Sequence, residues 1–553
     1  MHRYFTLLAA GLFLGAGLSA QSLSGTYAIP AQYKTFAAAA ADLGSKGVSG
    51  PVTFLVAPGN YTESFTLPYV GGASATNKVT FRSLVPGMAK LTGASGATLT
   101  FAAGASSAQP VAWYVIDGFE FTGGPGYALH GNRYNYDIEI RNCDFKAAHA
   151  TGLSSSSARL WYLQGSYIYR WDIHHNTFAF LSKASSYSMY FSQIQDCKFH
   201  HNTVEINGGY YGFYLINTNN SRNHYYNNIF HGTLQASSSA TVFFISASQY
   251  DVHLGHNTFL IDTTTAGGSI VVARGCCTTR RSWLYSNIFY NTGDGPCIKW
   301  GSTSTSYPIA TYYRGDGNIF WRPGTTPVVV GLYGTTKHNL TSWQQLTGQD
   351  QASKVGDPGL VNPFQKPYIF KLRANALAKD MGVAFPGQPT FPAFPITDDF
   401  EGNPRDSKPD VGAYEVTNFN LFGRGCAGTG SFVPELGYTG QAAIGGANFN
   451  VTLAKALGGS AALLAIGSGN TSWGPITLPF DFGGCDLNVP ITLGVSTPVA
   501  GSGGGNGTAS VPLPIPNDPA LAGARFYLQW LVIDAGSPSP FGVVSTLGGE
   551  VAL

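Results

Sequence analysis

Trp171-Asp-Ile-His-His-Asn-Thr-Phe178, Cys197-Lys-Phe-His-His-Asn-Thr-Val204 and Asn223-His-Tyr-Tyr-Asn-Asn-Ile-Phe230 are three copies of one pattern. Its core, Asn-(Thr/Ile)-(Phe/Val) after a short alternating run, recurs at Asn176, Asn202, Asn228, Asn257, Asn287 and Asn318, at intervals of 26, 26, 29, 30 and 31 residues. That period suits one turn of a β-solenoid, three short strands and a loop, each turn burying its apolar face on the next. Phe178, Val204, Phe230, Phe259, Phe289 and Phe320 are then expected to stack inside. Asn tolerates the left-handed backbone of a sharp corner, and Asn side chains on successive coils can hydrogen-bond one another. A weaker copy ends at Phe145, with Cys143 in the Asn place. The plain reading of the motif is that it builds the ladder and nothing more. The expected main body is a right-handed parallel β-helix of about a dozen coils.

Bulk composition agrees. A chain of 553 residues is too long for one ordinary core, and 70 Gly, 13% aromatic and 11% charged residues fit many short strands joined by tight turns. The formal net charge of +2 leaves no electrostatic footprint for nucleic acid. His2 and Arg3, the apolar run from Phe5 to Leu18 and the exit Ser19-Ala20-Gln21 have the layout of a secretory signal peptide, too short for a membrane span. The mature chain is therefore expected to be secreted or at the cell surface, without a transmembrane segment, and is read as a monomer.

The domain reading is 1–20 signal peptide, 21–417 β-helix and 418–553 a C-terminal β-sandwich-like module. Tyr33 to Lys46, rich in Ala, is expected to be a helix that caps the open solenoid end. The solenoid is expected to close between residues 357 and 415, with the Phe/Pro-rich stretch Phe385 to Pro395 packed along its outside. From about Asn418 the texture changes to Gly, Ala, Leu and Val with turn signals such as Ser502-Gly-Gly-Gly-Asn-Gly, which suggests a β-sandwich. Cys426 and Cys485 are the only cysteines of the last third and are paired as a disulfide. Cys297 lies about one coil from Cys276 and Cys277, which leaves a bridge there open, while Cys143 and Cys197 read as small buried fillers. No Cys-x-x-Cys pair exists, which argues against a thiolate zinc site.

Leu23-Ser-Gly-Thr-Tyr27 and Gly47-Val-Ser-Gly-Pro-Val-Thr-Phe-Leu-Val-Ala-Pro-Gly-Asn-Tyr61 resemble the opening of exported bacterial β-helix proteins of the pectate-lyase-like superfamily. Asp357-Pro-Gly-Leu-Val, Phe370-Lys-Leu, Asp380-Met-Gly and Asp410-Val-Gly-Ala-Tyr-Glu resemble its last coil and exit strand, with a departure at Asn375-Ala-Leu-Ala. Gly425-Cys-Ala-Gly-Thr-Gly, Gly484-Cys485 and Ile515-Pro-Asn-Asp-Pro-Ala-Leu look like a C-terminal module appended to various exported bacterial proteins, which implies attachment, sorting or a lid.

With strands aligned on the repeat Asn, alternation sends positions three and five before it inward, namely Ile173 and Trp171, Phe199 and Cys197, Leu254 and Val252. Positions two, four and six then face solvent. Six before the corner the residues are Asp137, Arg170, Asp196, Arg222, Asp251 and Arg281, alternating in sign, so stacking should make a self-neutralising ladder that holds register. Four before, the column is Glu139, Asp172, Lys198, His224, His253 and Trp283; two before, it is Arg141, His174, His200, Tyr226, Gly255 and Tyr285. In a chain this poor in charge, that face is the candidate groove.

Such a face could break or bind a polysaccharide. A lyase needs a base for the proton α to a uronate carboxylate and a cation to steady the enolate; Lys198, His200 and His224, flanked by Arg170 and Arg222 and joined by His174 and Asp172, are the candidate catalytic set. Glu139, Arg141, Tyr226, His253, Trp283 and Tyr285 are the candidate substrate contacts. The runner-up enzyme is a glycoside hydrolase, for which Glu139 and Asp172, one coil apart, are the one carboxylate pair on the face. The expected function is β-elimination on an acidic polysaccharide or cell-surface glycan; the alternative is a non-catalytic glycan-binding or adhesive rod. Loops Ala147 to Tyr167 and Ser182 to Ser192 would wall the groove. No cofactor is required, although acidic loops would suffice to hold a Ca²⁺ ion. His175, His201 and His256, just before the corner Asn, read as stacked turn residues rather than a string of metal ligands.

Overall fold

The computed structural model describes residues 21–122, 125–146, 160–181, 187–216, 222–245, 251–263, 268–273, 281–301, 308–324, 328–364, 368–373, 375–389, 391–416, 418–440, 442, 444–521 and 523–553. The signal-like segment, Cys276, Cys277 and most of the two expected groove walls lie outside these residues. The chain divides into two compact units between Glu415 and Val416.

The first unit is a parallel β-solenoid. Three sheets of 11 strands run along it, with successive turns as neighbours, and a fourth sheet of 4 short strands joins them over residues 111–195. Trp171, Cys197, Val252, Ile173, Phe199 and Leu254 are buried, as alternation predicts, and lie in one core with Phe178, Phe230, Phe259, Phe289 and Phe320. The Phe rings stack face to face on successive turns, Phe230 on Phe259 at 4.7 Å and Phe259 on Phe289 at 5.2 Å.

The Asn ladder is present, with a different geometry at the corner. Each Asn Oδ1 accepts the backbone N–H and the side-chain Nδ2–H of the Asn one turn earlier, at 2.9–3.2 Å from Asn176 through Asn318. Cys143 occupies the ladder's first place, its N–H donating to Asn176 Oδ1 at 3.0 Å, and Asp350 and Ser353 finish it by accepting from Asn318. The left-handed residue is not the ladder Asn but the one before it: Asn142, His175, His201, Asn227, His256 and Ser286 have φ between 49° and 57°. The Asn turns inward because its amide must satisfy backbone groups that the corner leaves without strand partners.

A helix, Phe36–Lys46, caps the first turn by burying Phe36, Ala39, Ala40 and Leu43. It starts later than expected because Thr35 is the N-cap, its hydroxyl accepting from Ala38 N at 3.0 Å, while Glu63 Oε1 accepts from Phe36 N. A second cap was not expected: the helix Leu340–Thr347, begun by Asn339 and ended by Gly348 at φ 68°, buries Trp343 over the last turn. The final parallel strand is Lys354–Val355. Beyond it come an antiparallel hairpin, Leu360–Asn362 with Ile369–Leu372, and then irregular chain. Residues 357–415 therefore do not form a further coil.

The second unit is antiparallel. A six-stranded sheet, including Arg525–Ile533 and Ala461–Gly467, and a three-stranded sheet, Glu435–Thr439, Asn450–Gly458 and Gly503–Pro512, share a core around Trp530, whose Nε1–H reaches Thr452 O at 3.0 Å. Cys426 and Cys485 form a disulfide, Cα atoms 5.0 Å apart. Cys143, Cys197 and Cys297 are buried, and burial pushes each thiol up to about 12.

Candidate functional site

The columns read from the sequence exist on the outer face of the first sheet. Glu139, Asp172, Lys198, His224, His253 and Trp283 are register partners on consecutive turns, as are Arg141, His174, His200, Tyr226, Gly255 and Tyr285. The charge ladder lies at the preceding corner, where Asp137, Arg170, Asp196 and Arg222 have φ of 52–55°. It is built of pairs. Arg170 grips Asp137 with two hydrogen bonds of 2.7 Å, and Arg222 grips Asp196 with two of 2.6 Å. The third pair does not form: Asp251 accepts from Trp283 Nε1 at 3.0 Å and Gln388 Nε2 at 2.9 Å, and Arg281 bonds the Gln388 carbonyl oxygen. Arg170 and Arg222 are thus held by their acid partners.

The N-terminal half of the face is open and largely self-neutralised. Glu139 is bound by Lys78 at 3.0 Å and by Arg141, with His174 Nε2 at 3.6 Å, and these contacts, that of His174 foremost, hold its carboxyl down to about 2. Arg141 also reaches Asp117, at 3.1 Å. On the next turn His200 Nε2 meets Asp172 Oδ1 at 2.8 Å, and His200 Nδ1 faces His201 Nδ1 at 2.6 Å. Both ring nitrogens of His200 are therefore occupied. Burial pushes His200 below the usual imidazole range, against the opposing pull of Asp172. Burial alone would raise Asp172, but the hydrogen bond with His200 brings its carboxyl below the usual value. His174 and His200 stack at 5.1 Å, and His200 and Tyr226 at 4.6 Å.

The corner histidines serve the fold. His175 stacks on His201 at 5.0 Å, His201 Nε2 donates to Asp399 O at 2.7 Å, and His256 Nδ1 donates to Asp410 O at 2.9 Å. Among the described residues no three His, Cys, Asp or Glu side chains are placed to hold a metal ion.

The C-terminal half of the face is covered. The expectation that His224, Tyr226, His253, Trp283 and Tyr285 meet solvent is corrected: all five are buried. A strap, residues 383–389 and 391–396, crosses them. Phe385 stacks on His253 at 4.2 Å, Phe394 lies 4.2 Å from His224 and 5.2 Å from Tyr226, and Phe385 and Phe391 form one cluster with Trp283 and Tyr285. Alternation alone chose the outer side of the strand correctly, yet the outer side of this sheet has become an interior. Burial, with the Lys198 charge beside it, pushes His224 down to about 3. His224 Nδ1 and His253 Nδ1 are 3.1 Å apart and share one hydrogen bond.

Open and covered halves meet at Lys198. Its ammonium lies 5.5 Å from the Phe394 ring and has no hydrogen bond or ion pair among the described residues. Beside it opens a depression of about 250 Å³, lined by Asp196, Lys198, Arg222, His224, Phe391 and Phe394.

A second face escaped the sequence reading. On the outside of the third sheet, Thr100, His130, Tyr162, Tyr190, Tyr214 and Phe244 are register partners on successive turns. Ring centroids from His130 to Phe244 lie 5.5, 5.1, 5.7 and 4.9 Å apart. Tyr187 and Tyr211 stack beside them at 5.2 Å. His130 and all five tyrosines are half-buried, and this column carries no Asp, Glu, Lys or Arg from Thr100 to Phe244. Registering strands on the Asn corner hides the column, because Tyr162, Tyr190 and Tyr214 precede their Asn by 14, 12 and 14 residues.

Among solved structures the chain is similar to XylC in complex with xylose, at 8% identity and TM-score 0.36, covering 67% of this chain and 66% of that one. It is similar to a PL6 family alginate lyase at 12% identity and TM-score 0.35, covering 68% and 60%. It is also similar to the pectate lyase Pel9A at 13% identity and TM-score 0.27, covering 72% and 98%. The chain spans just under two thirds of the first of these and less of the second. No family model matches the chain, and no curated protein does.

Proposed function

We propose that this is a carbohydrate-active β-solenoid protein that lays a polysaccharide chain along its outer surface. The observation that carries the reading is the half-buried aromatic column on the third sheet. Adjacent turns repeat about every 4.8 Å, so the column offers one aromatic side chain per turn in a row along the solenoid axis. A tyrosine brings an apolar ring and a hydroxyl to the same place, which suits sugars, apolar on ring faces and polar at their rims. Affinity electrophoresis of the mature chain through gels containing neutral and acidic polysaccharides tests it. Retardation by a glycan, reduced at least tenfold in Tyr190→Ala/Tyr214→Ala, is the expected result; no retardation by any glycan would overturn the reading.

A second reading, β-elimination on an acidic polysaccharide, is favoured by the Lys198 ammonium beside the depression, unpaired among the described residues. There a base would take the proton from the carbon next to the uronate carboxylate, the electron pair would form the new C=C bond, and the glycosidic oxygen would leave with the C–O bond pair. Lys198 would steady the carboxylate as charge moves onto it. His224 lines the same depression, whereas His200 has both nitrogens engaged. Incubation with uronate-containing glycans, followed by the absorbance of unsaturated products, decides it: product lost in Lys198→Ala and His224→Gln supports cleavage, and binding without product leaves the rod-like glycan binder.

A further inference from the structure

Beneath the strap lies a cavity of about 470 Å³, within the size range of sites for small molecules. Its walls are largely apolar: Val383, Phe385 and Phe394, with Pro395, Ile396 and Pro409 beside them. The column that carries Tyr226 on one turn and Tyr285 two turns on has Gly255 between them, and the His253 ring edge and Ile396 close over it. A Cβ there would stand 2.6 Å from His253 Nε2 and 3.0 Å from Ile396 Cδ1.

Two polar side chains on the wall are more than nine-tenths buried, His253 at 0% and Tyr285 at 6% exposure. His253 Nε2 has no hydrogen-bond partner among the described residues. A buried imidazole nitrogen left unpaired is destabilising, so a ligand that supplies the missing partner is favoured there. Of the other titratable neighbours, His256 is bonded to Asp410 O, and Asp406, which is exposed, accepts from Lys408 N at 2.7 Å.

We infer that the cavity beneath the strap is a binding site for a small uncharged ring compound bearing a hydroxyl, with phenol as its simplest member. The class follows from the walls. Ring faces fit between Phe385, Phe394 and the Pro and Ile side chains, and the apolar wall around the buried His253 disfavours an ion there. One proton bridges His224 Nδ1 and His253 Nδ1, so His253 Nε2 bears either a proton or a lone pair according to tautomer. A hydroxyl both donates and accepts, and so pairs with either form. This site is separate from the third-sheet column and from Lys198, and stands whether or not a glycan binds.

Isothermal titration of the mature full-length chain with phenol and with toluene tests it. Saturable binding of phenol at one site is expected, tighter than toluene. Ile396→Phe, which fills the space from the strap side, should weaken phenol at least tenfold, as should Gly255→Ala if that variant folds. His253→Phe keeps the ring and removes the nitrogens, and should weaken phenol at least threefold while leaving toluene unchanged. Absence of saturable phenol binding, or phenol affinity unchanged in Ile396→Phe, would overturn the site; equal loss of phenol and toluene in His253→Phe would overturn the hydroxyl preference.

Discussion

Asn228 shows how much rests on single side chains. Its Oδ1 accepts twice from Asn202, and its Nδ2 donates to Phe199 O at 2.8 Å and to Asn257 Oδ1 at 3.0 Å. Replacing it with Leu strands buried groups on two turns, and at about 1–3 kcal/mol each the loss should be several kcal/mol, read as a lowered urea midpoint with unchanged slope. The His before the ladder obeys a different rule. His175 sits at φ 54°, where a β-branched side chain is strained, so His175→Val should destabilise by about 1–2 kcal/mol. His175→Gly should not.

The strap is held as an element. Val383 N donates to Ser286 Oγ at 2.7 Å, Gln388 ties to Asp251, and Arg405, buried, gathers Asp398 O, Gly412 O, Asn227 Oδ1 and Glu415 Oε2 behind it. Removing Arg405 leaves Glu415 and these acceptors without their donor, and Arg405→Leu should make residues 383–415 the first site of limited proteolysis. The strap also bears a pH dependence. His224 titrates near 6.5 when unfolded and is pushed to about 3 in place, so the closed strap favours the neutral ring. Below about pH 6.5 the unfolded chain binds more protons, and stability falls progressively toward pH 3. His253 and His256, also buried and pushed down, add in the same direction, while Asp196 near His224 opposes weakly. Urea unfolding at pH 7 and pH 4.5 should show lower stability in acid, with a shallower dependence in His224→Phe; an unchanged dependence would assign the effect elsewhere.

At the scale of the molecule, two units with separate cores should melt separately. The disulfide closes a loop of 59 residues in the second unit, for which chain entropy predicts about 4 kcal/mol. Reduction should therefore lower one calorimetric transition and leave that of the solenoid in place. No helix among the described residues is long and apolar enough to cross a membrane.

The repeat period, the inward set and the in-register columns were legible in the sequence, because β-strand alternation and turn-to-turn stacking are local rules that every coil obeys. Even the second cap can be traced in Asn339-Leu-Thr-Ser-Trp-Gln-Gln-Leu-Thr-Gly348, an N-cap and a glycine stop around one buried Trp. Which outward faces remain outward was not legible. Trp283 and Tyr285 are covered by Phe385, 100 residues later in the chain, and no periodicity encodes a contact made once. The third-sheet tyrosines were hidden for the opposite reason: their alignment is regular in space but interrupted in sequence by loops of unequal length. Sequence alone determined the coil, since repetition makes a local preference cumulative. The tertiary structure decided which face is free to bind, because that depends on where one non-repeating segment comes to rest.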